Sequence, residues 1–111
     1  MNVRIAAFSI AGALALVSME ASAVIDDKKA QDVMSKSGCA ACHQVDKKAL
    51  GPAFREIAKK HKGQKDAVEV LVKKVRSGGA GAYGTIPMPP NSPSQISDKD
   101  LKAIVEWVLS K

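Results

Sequence analysis

The five residues Cys39-Ala40-Ala41-Cys42-His43 place two thiols and an imidazole within one short segment. The pattern C-x-x-C-H is typical of covalent heme attachment. Two thiols at this spacing can form thioether bonds with the two vinyl groups on one porphyrin edge, and the histidine that follows can bind the iron. Because Ala40 and Ala41 are small, they leave room for the macrocycle. The motif therefore predicts one covalent heme c, with His43 as an axial iron ligand.

The cysteine pair has other interpretations. A thiol–disulfide oxidoreductase uses C-x-x-C within βαβ surroundings, but no segment here shows the alternation of a strand. A structural zinc site needs four ligands, and His43 and His61 are the only histidines. A plain disulfide between Cys39 and Cys42 is a further alternative. We favour heme because the motif occurs together with an export signal and an all-helical pattern.

The iron face opposite His43 needs a second ligand, and Met34, His61 and Met88 are the candidates. Met34 lies on an apolar helix face and is expected in the core. His61 lies among lysines and is expected in solvent. Met88 stands between two prolines in a loop, where restricted backbone freedom lowers the entropy lost on ordering. We therefore predict Met88 as the second axial ligand.

Ligation by His43 and Met88 would fill both axial positions, so small molecules could not readily bind. A thioether ligand also raises the reduction potential. These properties predict a one-electron carrier and not an enzyme. If Met88 did not bind, the open site would instead indicate a heme enzyme or a ligand sensor.

Residues 1–23 have the pattern of a cleaved secretory signal peptide. Met1–Arg4 is basic, Ile5–Val17 is apolar, and Ala21-Ser22-Ala23 fits a cleavage site. The apolar run is short for a membrane span, which needs about 20 residues. We expect cleavage after Ala23, export of a soluble domain of residues 24–111 to the periplasm, and no permanent membrane anchor.

Apolar residues at helical spacing predict four helices and no strands. The predicted helices are Asp26–Ser37, Pro52–Lys62, Asp66–Ser77 and Ser97–Lys111. A loop over residues 78–96, rich in Gly, Pro, Ser and Asn, separates the last two helices. A loop of this length in a small domain is usually functional or disordered.

The aromatic content, 4% of the chain, is low for a small domain, although hydrophobic residues make up 46%. The aromatic residues are Phe8, Phe54, Tyr83 and Trp107, and cleavage after Ala23 would remove Phe8. Small domains with thin cores need additional stabilisation. A heme in the core would provide the missing apolar surface.

The net charge of +6 first suggests a nucleic-acid partner. Export and the absence of a basic stripe interleaved with aromatic residues in the sequence oppose that interpretation, so we predict no nucleic acid partner. Lys47 and Lys48 follow the C-x-x-C-H motif closely. We expect a monomer in which these lysines surround the exposed heme edge and steer acidic redox proteins to it.

Most of residues 26–111 resembles the small bacterial class I cytochromes c of the cytochrome c-551 type. The matching segments, in order, are Gly38-Cys39-Ala40-Ala41-Cys42-His43, Gly51-Pro52-Ala53, Ile86-Pro87-Met88-Pro89-Pro90-Asn91 and Trp107-Val108-Leu109-Ser110. The resemblance implies an all-α fold with about four helices around one covalent heme. It also implies His43 and Met88 as the axial ligands.

The resemblance further implies roles for residues around these ligands. The Pro52 carbonyl would accept a hydrogen bond from the His43 Nδ1–H and so orient the ring. Asn91 would steady the Met88 loop by hydrogen bonding. Members of the family serve nitrite reductase, terminal oxidases and cytochrome c peroxidase, and the sequence does not choose among these acceptors.

Three positions depart from the family pattern. Lys74 stands where the family often has an arginine near a heme propionate. Tyr83 replaces a tryptophan near a propionate, so its hydroxyl would either donate to that group or simply pack. Thr85 replaces a proline, which predicts a looser end to the loop.

Overall fold

The computed structural model describes residues 11–16 and 24–111. The predicted signal peptide falls mostly on residues 1–10 and 17–23, which lie outside the described residues, so its cleavage stays a prediction. Among the described residues, no helix is both long and apolar enough to cross a membrane.

Four α-helices form the domain, which confirms the predicted all-α class. They are α1 (Asp27–Ser37), α2 (Phe54–Lys60), α3 (Ala67–Ser77) and α4 (Asp98–Leu109). A single 3-10 turn, Cys39–Ala41, follows α1. Within residues 24–111, the β-type pairing is confined to one isolated bridge between Gly79 and Met88.

Local side chains and one glycine set the helix ends nearest to the motif. The Asp26 carboxylate accepts a hydrogen bond from the Lys29 backbone N–H at 2.7 Å and so begins α1. Gly38 ends α1 with φ of 81°, a left-handed conformation that favours glycine. The chain therefore turns directly from α1 into Cys39.

The predicted start of the second helix at Pro52 is wrong. Helix α2 begins two residues later at Phe54, and Ala53 precedes it in an extended conformation. The Phe54 N–H donates at 2.9 Å to the carbonyl of Gln44, the residue that follows the C-x-x-C-H motif. This bond fixes the start of α2 against the motif. This arrangement leaves the Pro52 carbonyl outside the helical ladder.

Helix α4 is the centre of the core and packs against the other three α-helices. Trp107 and Leu101 are 2% and 1% exposed, and the Phe54 ring meets Trp107 edge-on with 5.6 Å between ring centroids. Met34 is also buried in this core, as the sequence predicted. The buried aromatic rings are therefore concentrated on the side of α4 that faces α2.

Asp27 joins the start of α1 to the end of the chain. Its Oδ1 accepts hydrogen bonds from Trp107 Nε1 at 2.9 Å and from Lys111 Nζ at 3.1 Å. The Lys111 ammonium also lies 4.3 Å from the centroid of the Trp107 ring. The Trp107 hydrogen bond, followed by the Lys111 hydrogen bond and charge, lowers the pKa of Asp27 below its ordinary value.

We expect Asp27→Asn to lower the free energy of unfolding in a pH-dependent way. A carboxylate whose folded pKa is depressed stabilises the fold above its unfolded pKa of about 3.9. That stabilisation is lost as the pH falls through the folded pKa. Urea unfolding at a series of pH values should show a difference between wild type and variant near neutral pH that shrinks below about pH 4.

Asp32→Asn is the matched control, because Asp32 lies on the same helix and its partner Lys36 forms only an exposed ion pair with it. This variant should have a much smaller effect near neutral pH. A difference between wild type and Asp27→Asn that did not change with pH would contradict the assignment.

Candidate functional site

His43 is held in one orientation by two contacts. Its Nδ1 lies 2.8 Å from the carbonyl oxygen of Pro52. Because a carbonyl only accepts, Nδ1 carries the proton and donates, which leaves the Nε2 lone pair free for a metal. The Phe54 ring stacks on His43 with 5.3 Å between centroids and a 19° interplanar angle. The imidazole is therefore pre-oriented as a ligand.

Gly51 lies directly against the His43 ring. A Cβ at this position would come within 2.6 Å of the ring atom Cε1 and 2.9 Å of Nδ1. The Gly51 N–H donates at 2.8 Å to the carbonyl of Cys42, so the backbone has little room to withdraw. Glycine is required here because of this close approach.

One cleft brings together the predicted site residues. Cys39, Cys42, His43 and Met88 all line it. The remaining wall is largely apolar and includes Leu71, Val75, Leu101, Ile104, Val105 and Val108 of α3 and α4. Its empty volume, the open mouth included, is about 1150 Å³. A largely apolar wall beside two thiols and an imidazole suits a large flat cofactor.

The backbone of Met88 is fixed against the end of α3. The Gly79 N–H donates to the Met88 carbonyl at 2.9 Å, and the Met88 N–H donates to the Gly79 carbonyl at 3.0 Å. Gly78 has φ of 66°, and a Cβ there would lie 2.4 Å from the Met88 carbonyl oxygen. The methionine is therefore presented on a backbone anchored through both of its polar groups.

Asn91 ties the other end of the same loop to α3. Its side-chain Nδ2 donates to the Pro89 carbonyl at 3.0 Å and to the Val75 carbonyl at 3.4 Å. Its backbone N–H donates to Val75 at 3.0 Å. Asn91 is only 8% exposed, so these bonds replace the water that its amide has lost.

Tyr83 lines the cleft, and its hydroxyl is buried within the protein. This hydroxyl has no hydrogen-bond partner within the described part of the chain. Burial, and to a lesser degree the Glu56 carboxylate, raises the pKa of Tyr83 above its ordinary value. A buried hydroxyl without a partner is costly, so the Tyr83 side chain must gain from its packing in the wall. Lys74 lines the same cleft and adds a positive charge.

The other residues singled out by sequence lie outside the cleft lining. Lys47, Lys48 and Thr85 are exposed. His61 faces the connection between α2 and α3, where its Nδ1 lies 2.8 Å from Gln64 Oε1. Lys60 lies beside Tyr83, with its Nζ 4.4 Å from the centroid of the Tyr83 ring.

A C-x-x-C-H motif and an oriented imidazole on an apolar cleft of a four-helix fold define a small heme-carrying electron-transfer protein. The family model for cytochrome c matches residues 28–111. The chain therefore belongs to the cytochrome c family. It is a small class I cytochrome c, which confirms the resemblance drawn from the sequence.

Individual relatives agree with this assignment. Over 78 residues the chain is 47% identical to cytochrome c2 of Rubrivivax gelatinosus, covering 70% of this chain and 92% of the relative. It is 39% identical to cytochrome c-551 of Azotobacter vinelandii, over 72% of this chain and 94% of that relative. The crystal structure of Nitrosomonas europaea cytochrome c552 superposes with a TM-score of 0.67 at 44% identity, covering 72% of this chain and 96% of that one.

Membership of the family confirms the predictions of a covalent heme c and of an electron carrier that is not an enzyme. Cytochromes c exchange electrons with redox partner proteins, so partners of this kind are part of the assignment. The cleft suits the heme, since it offers two thiols and an available imidazole nitrogen on a largely apolar wall.

Proposed function

We propose that this cytochrome c is exported to the periplasm as residues 24–111. There it carries single electrons between respiratory donors and terminal acceptors such as nitrite reductase, an oxidase or a peroxidase. Cys39 and Cys42 hold the heme covalently, and His43 and Met88 are the axial ligands. The main support is the His43 ring, whose Nδ1 is committed to the Pro52 carbonyl while the ring lines the same cleft as Met88.

The ligand arrangement accounts for a carrier. When bound, the heme supplies a one-electron couple between ferric and ferrous iron. His43 and Met88 would together hold the iron and exclude water and other small molecules from it, and the Met88 thioether would favour the reduced state. The His43 ring is held by the Pro52 carbonyl, and the Met88 backbone is held by Gly79. Little of the protein would therefore need to rearrange when the iron gains or loses an electron.

The environment of the cysteines favours thioether formation over thiol redox chemistry. Both cysteines are partly buried. Burial raises the pKa of Cys39, and the neighbouring Cys42 adds to the rise. A redox-active C-x-x-C pair requires a lowered pKa, because the thiolate is the reactive form. The Cys39 thiol is therefore a poor thiol–disulfide nucleophile, which supports permanent attachment of the cofactor at this motif.

The mass of the exported protein tests the processing step. We expect protein from the periplasmic fraction to begin at Val24 and to carry one covalent heme. A chain that retains residues 1–23 would contradict cleavage after Ala23. Ala23→Leu should retain those residues, because the cleavage site requires a small side chain at this position.

An apolar rim and nearby positive charges support docking at the mouth of the cleft. Leu50 and Ile86 line the cleft and are 59% and 60% exposed. Lys74 lines the wall, and Lys60 lies beside Tyr83. We place the docking surface here, with the monomer presenting it to acidic partners, and Lys47 and Lys48 adding long-range attraction.

Charge reversal at Lys47 and Lys48 tests this steering. At low ionic strength, Lys47→Glu/Lys48→Glu should slow electron exchange with an acidic redox partner by about tenfold, within the range of electrostatic steering. Wild-type and variant rates should converge as salt is added, because exposed charges are screened. Stopped-flow absorbance at several salt concentrations measures both effects.

The matched control is Lys28→Glu/Lys29→Glu, which changes the net charge equally on α1, a helix that does not line the cleft. A smaller effect of this control would support a localised docking surface. Equal slowing by both double variants would show that only net charge matters, and a flat salt response of the wild type would reject steering.

A further inference from the structure

Arg76, near the end of α3, makes three hydrogen bonds to the segment that follows the Met88 loop. Its Nη1 donates to the carbonyl oxygens of Asn91 at 3.2 Å and Ile96 at 2.8 Å. Its Nη2 donates to the Asp98 carboxylate at 2.6 Å. The Arg76 side chain is only 21% exposed. One guanidinium therefore joins α3, the loop after Met88 and the first turn of α4.

The two carbonyl acceptors belong to residues that build the cleft. Asn91 holds the Pro89 carbonyl through its side chain, one residue from Met88. Ile96 is 4% exposed and lines the cleft. Movement of the 91–96 segment would therefore displace both the base of the Met88 loop and part of the cleft wall.

The shape of the arginine side chain matters for this arrangement. A guanidinium presents several N–H groups in a rigid plane, so separate nitrogens can reach acceptors in different directions. A lysine ammonium is a compact donor on a flexible stem and cannot span the same acceptors with fixed geometry. The Asp98 carboxylate is 90% exposed, so this ion pair contributes little. The partly buried hydrogen bonds to the two carbonyl oxygens therefore provide most of the restraint on the segment.

We infer that Arg76 is a positioning residue for the Met88 sulfur, and this inference rests on the proposed ligation by Met88. Arg76 acts through Asn91 and Ile96 and does not itself contact the ligand. Its loss increases the fraction of molecules in which the sulfur is away from the iron. The fold persists in this state, because the four-helix core is formed by other residues.

Imidazole binding to the purified ferric holoprotein measures that fraction. Imidazole can occupy the axial position only when the sulfur has left, so its apparent affinity rises in proportion to the open population. We expect Arg76→Met to bind imidazole about tenfold more tightly than wild type, the order expected when hydrogen bonds from a charged group are lost. Arg76→Lys should show a smaller increase in imidazole affinity, since lysine keeps the positive charge but lacks the planar set of N–H donors.

Two variants separate this role from general effects. Lys73→Met removes a cation from the same helix, where Lys73 forms an exposed ion pair with Glu69. Val33→Ala weakens the core on α1, which does not line the cleft. Both should bind imidazole within about twofold of wild type. An equal gain in affinity for Val33→Ala would show that general destabilisation is the cause and would overturn the inference.

Unchanged imidazole affinity in Arg76→Met would also overturn it. If Arg76→Met yields no holoprotein, the imidazole affinity of Arg76→Lys is the test. An affinity equal to that of wild type would then overturn the inference. The long-wavelength absorption band of an iron–thioether bond in the ferric wild type tests Met88 ligation separately from the role of Arg76. Its absence would reject Met88 ligation itself, whereas its presence with unchanged affinities would reject only the role of Arg76.

Discussion

Replacing Met88 by alanine is expected to abolish the iron–thioether absorption band and to lower the reduction potential by about 0.1 V or more. Axial ligands set heme potentials over about 0.8 V, and a thioether favours the ferrous state. The backbone bonds between Met88 and Gly79 do not depend on the side chain, so the loop should keep its path. Visible spectroscopy and a redox titration measure the two effects.

The same variant should also open the axial position to small molecules. Reduced Met88→Ala should bind carbon monoxide rapidly, whereas the wild type should resist it. Met34→Leu is the matched control, because it removes a buried core methionine with little change in volume. It should keep the band and the potential. An unchanged potential in Met88→Ala would contradict ligation by this residue.

The double variant Cys39→Ala/Cys42→Ala should lose covalent heme and most of its thermal stability together. The wall of the cleft is built from core residues of α4, including Leu101, Ile104 and Val105. Without a permanently attached ring, this apolar surface contacts water, and the hydrophobic stabilisation of a small domain falls sharply. Heme staining of a denaturing gel and circular dichroism on heating measure the two losses.

Ala41→Ser provides the matched control for this double variant, because it changes the motif between the cysteines without removing a thiol. It should retain covalent heme and a melting temperature close to that of wild type. Full thermal stability of a heme-free Cys39→Ala/Cys42→Ala protein would contradict the view that the cofactor forms part of the core.

The sequence was most informative where chemistry depends on residue type. The C-x-x-C-H motif and the proline-flanked Met88 pointed to one cleft, and the structure brings Cys39, Cys42, His43 and Met88 to its wall. Helical periodicity predicted four helices, but the role of Pro52 as a helix start was wrong. The error arose because the backbone bonds from Phe54 to Gln44 and from Arg55 to Val45 accompany an extended Ala53, which overrides the local preference of proline for a first turn.

The supporting contacts could not be predicted from residue type alone. Phe54 resembles any apolar residue of a helix face, yet its ring stacks on His43. The donors of Arg76 reach backbone carbonyls 15 and 20 residues away, and carbonyls carry no signature in a sequence. Gly51 and Gly78 are required only because another part of the chain approaches them closely.

The two sides of the cleft lie far apart along the chain. The hydrogen bond from His43 to Pro52 and the backbone bonds between Gly79 and Met88 are both local in sequence, whereas Met88 is distant from the C-x-x-C-H motif. Since the entropy cost of loop closure grows with loop length, the contacts within each side can form before the two sides meet. With the heme attached at Cys39 and Cys42, folding would therefore complete the coordination sphere from the histidine side first, with Met88 arriving last.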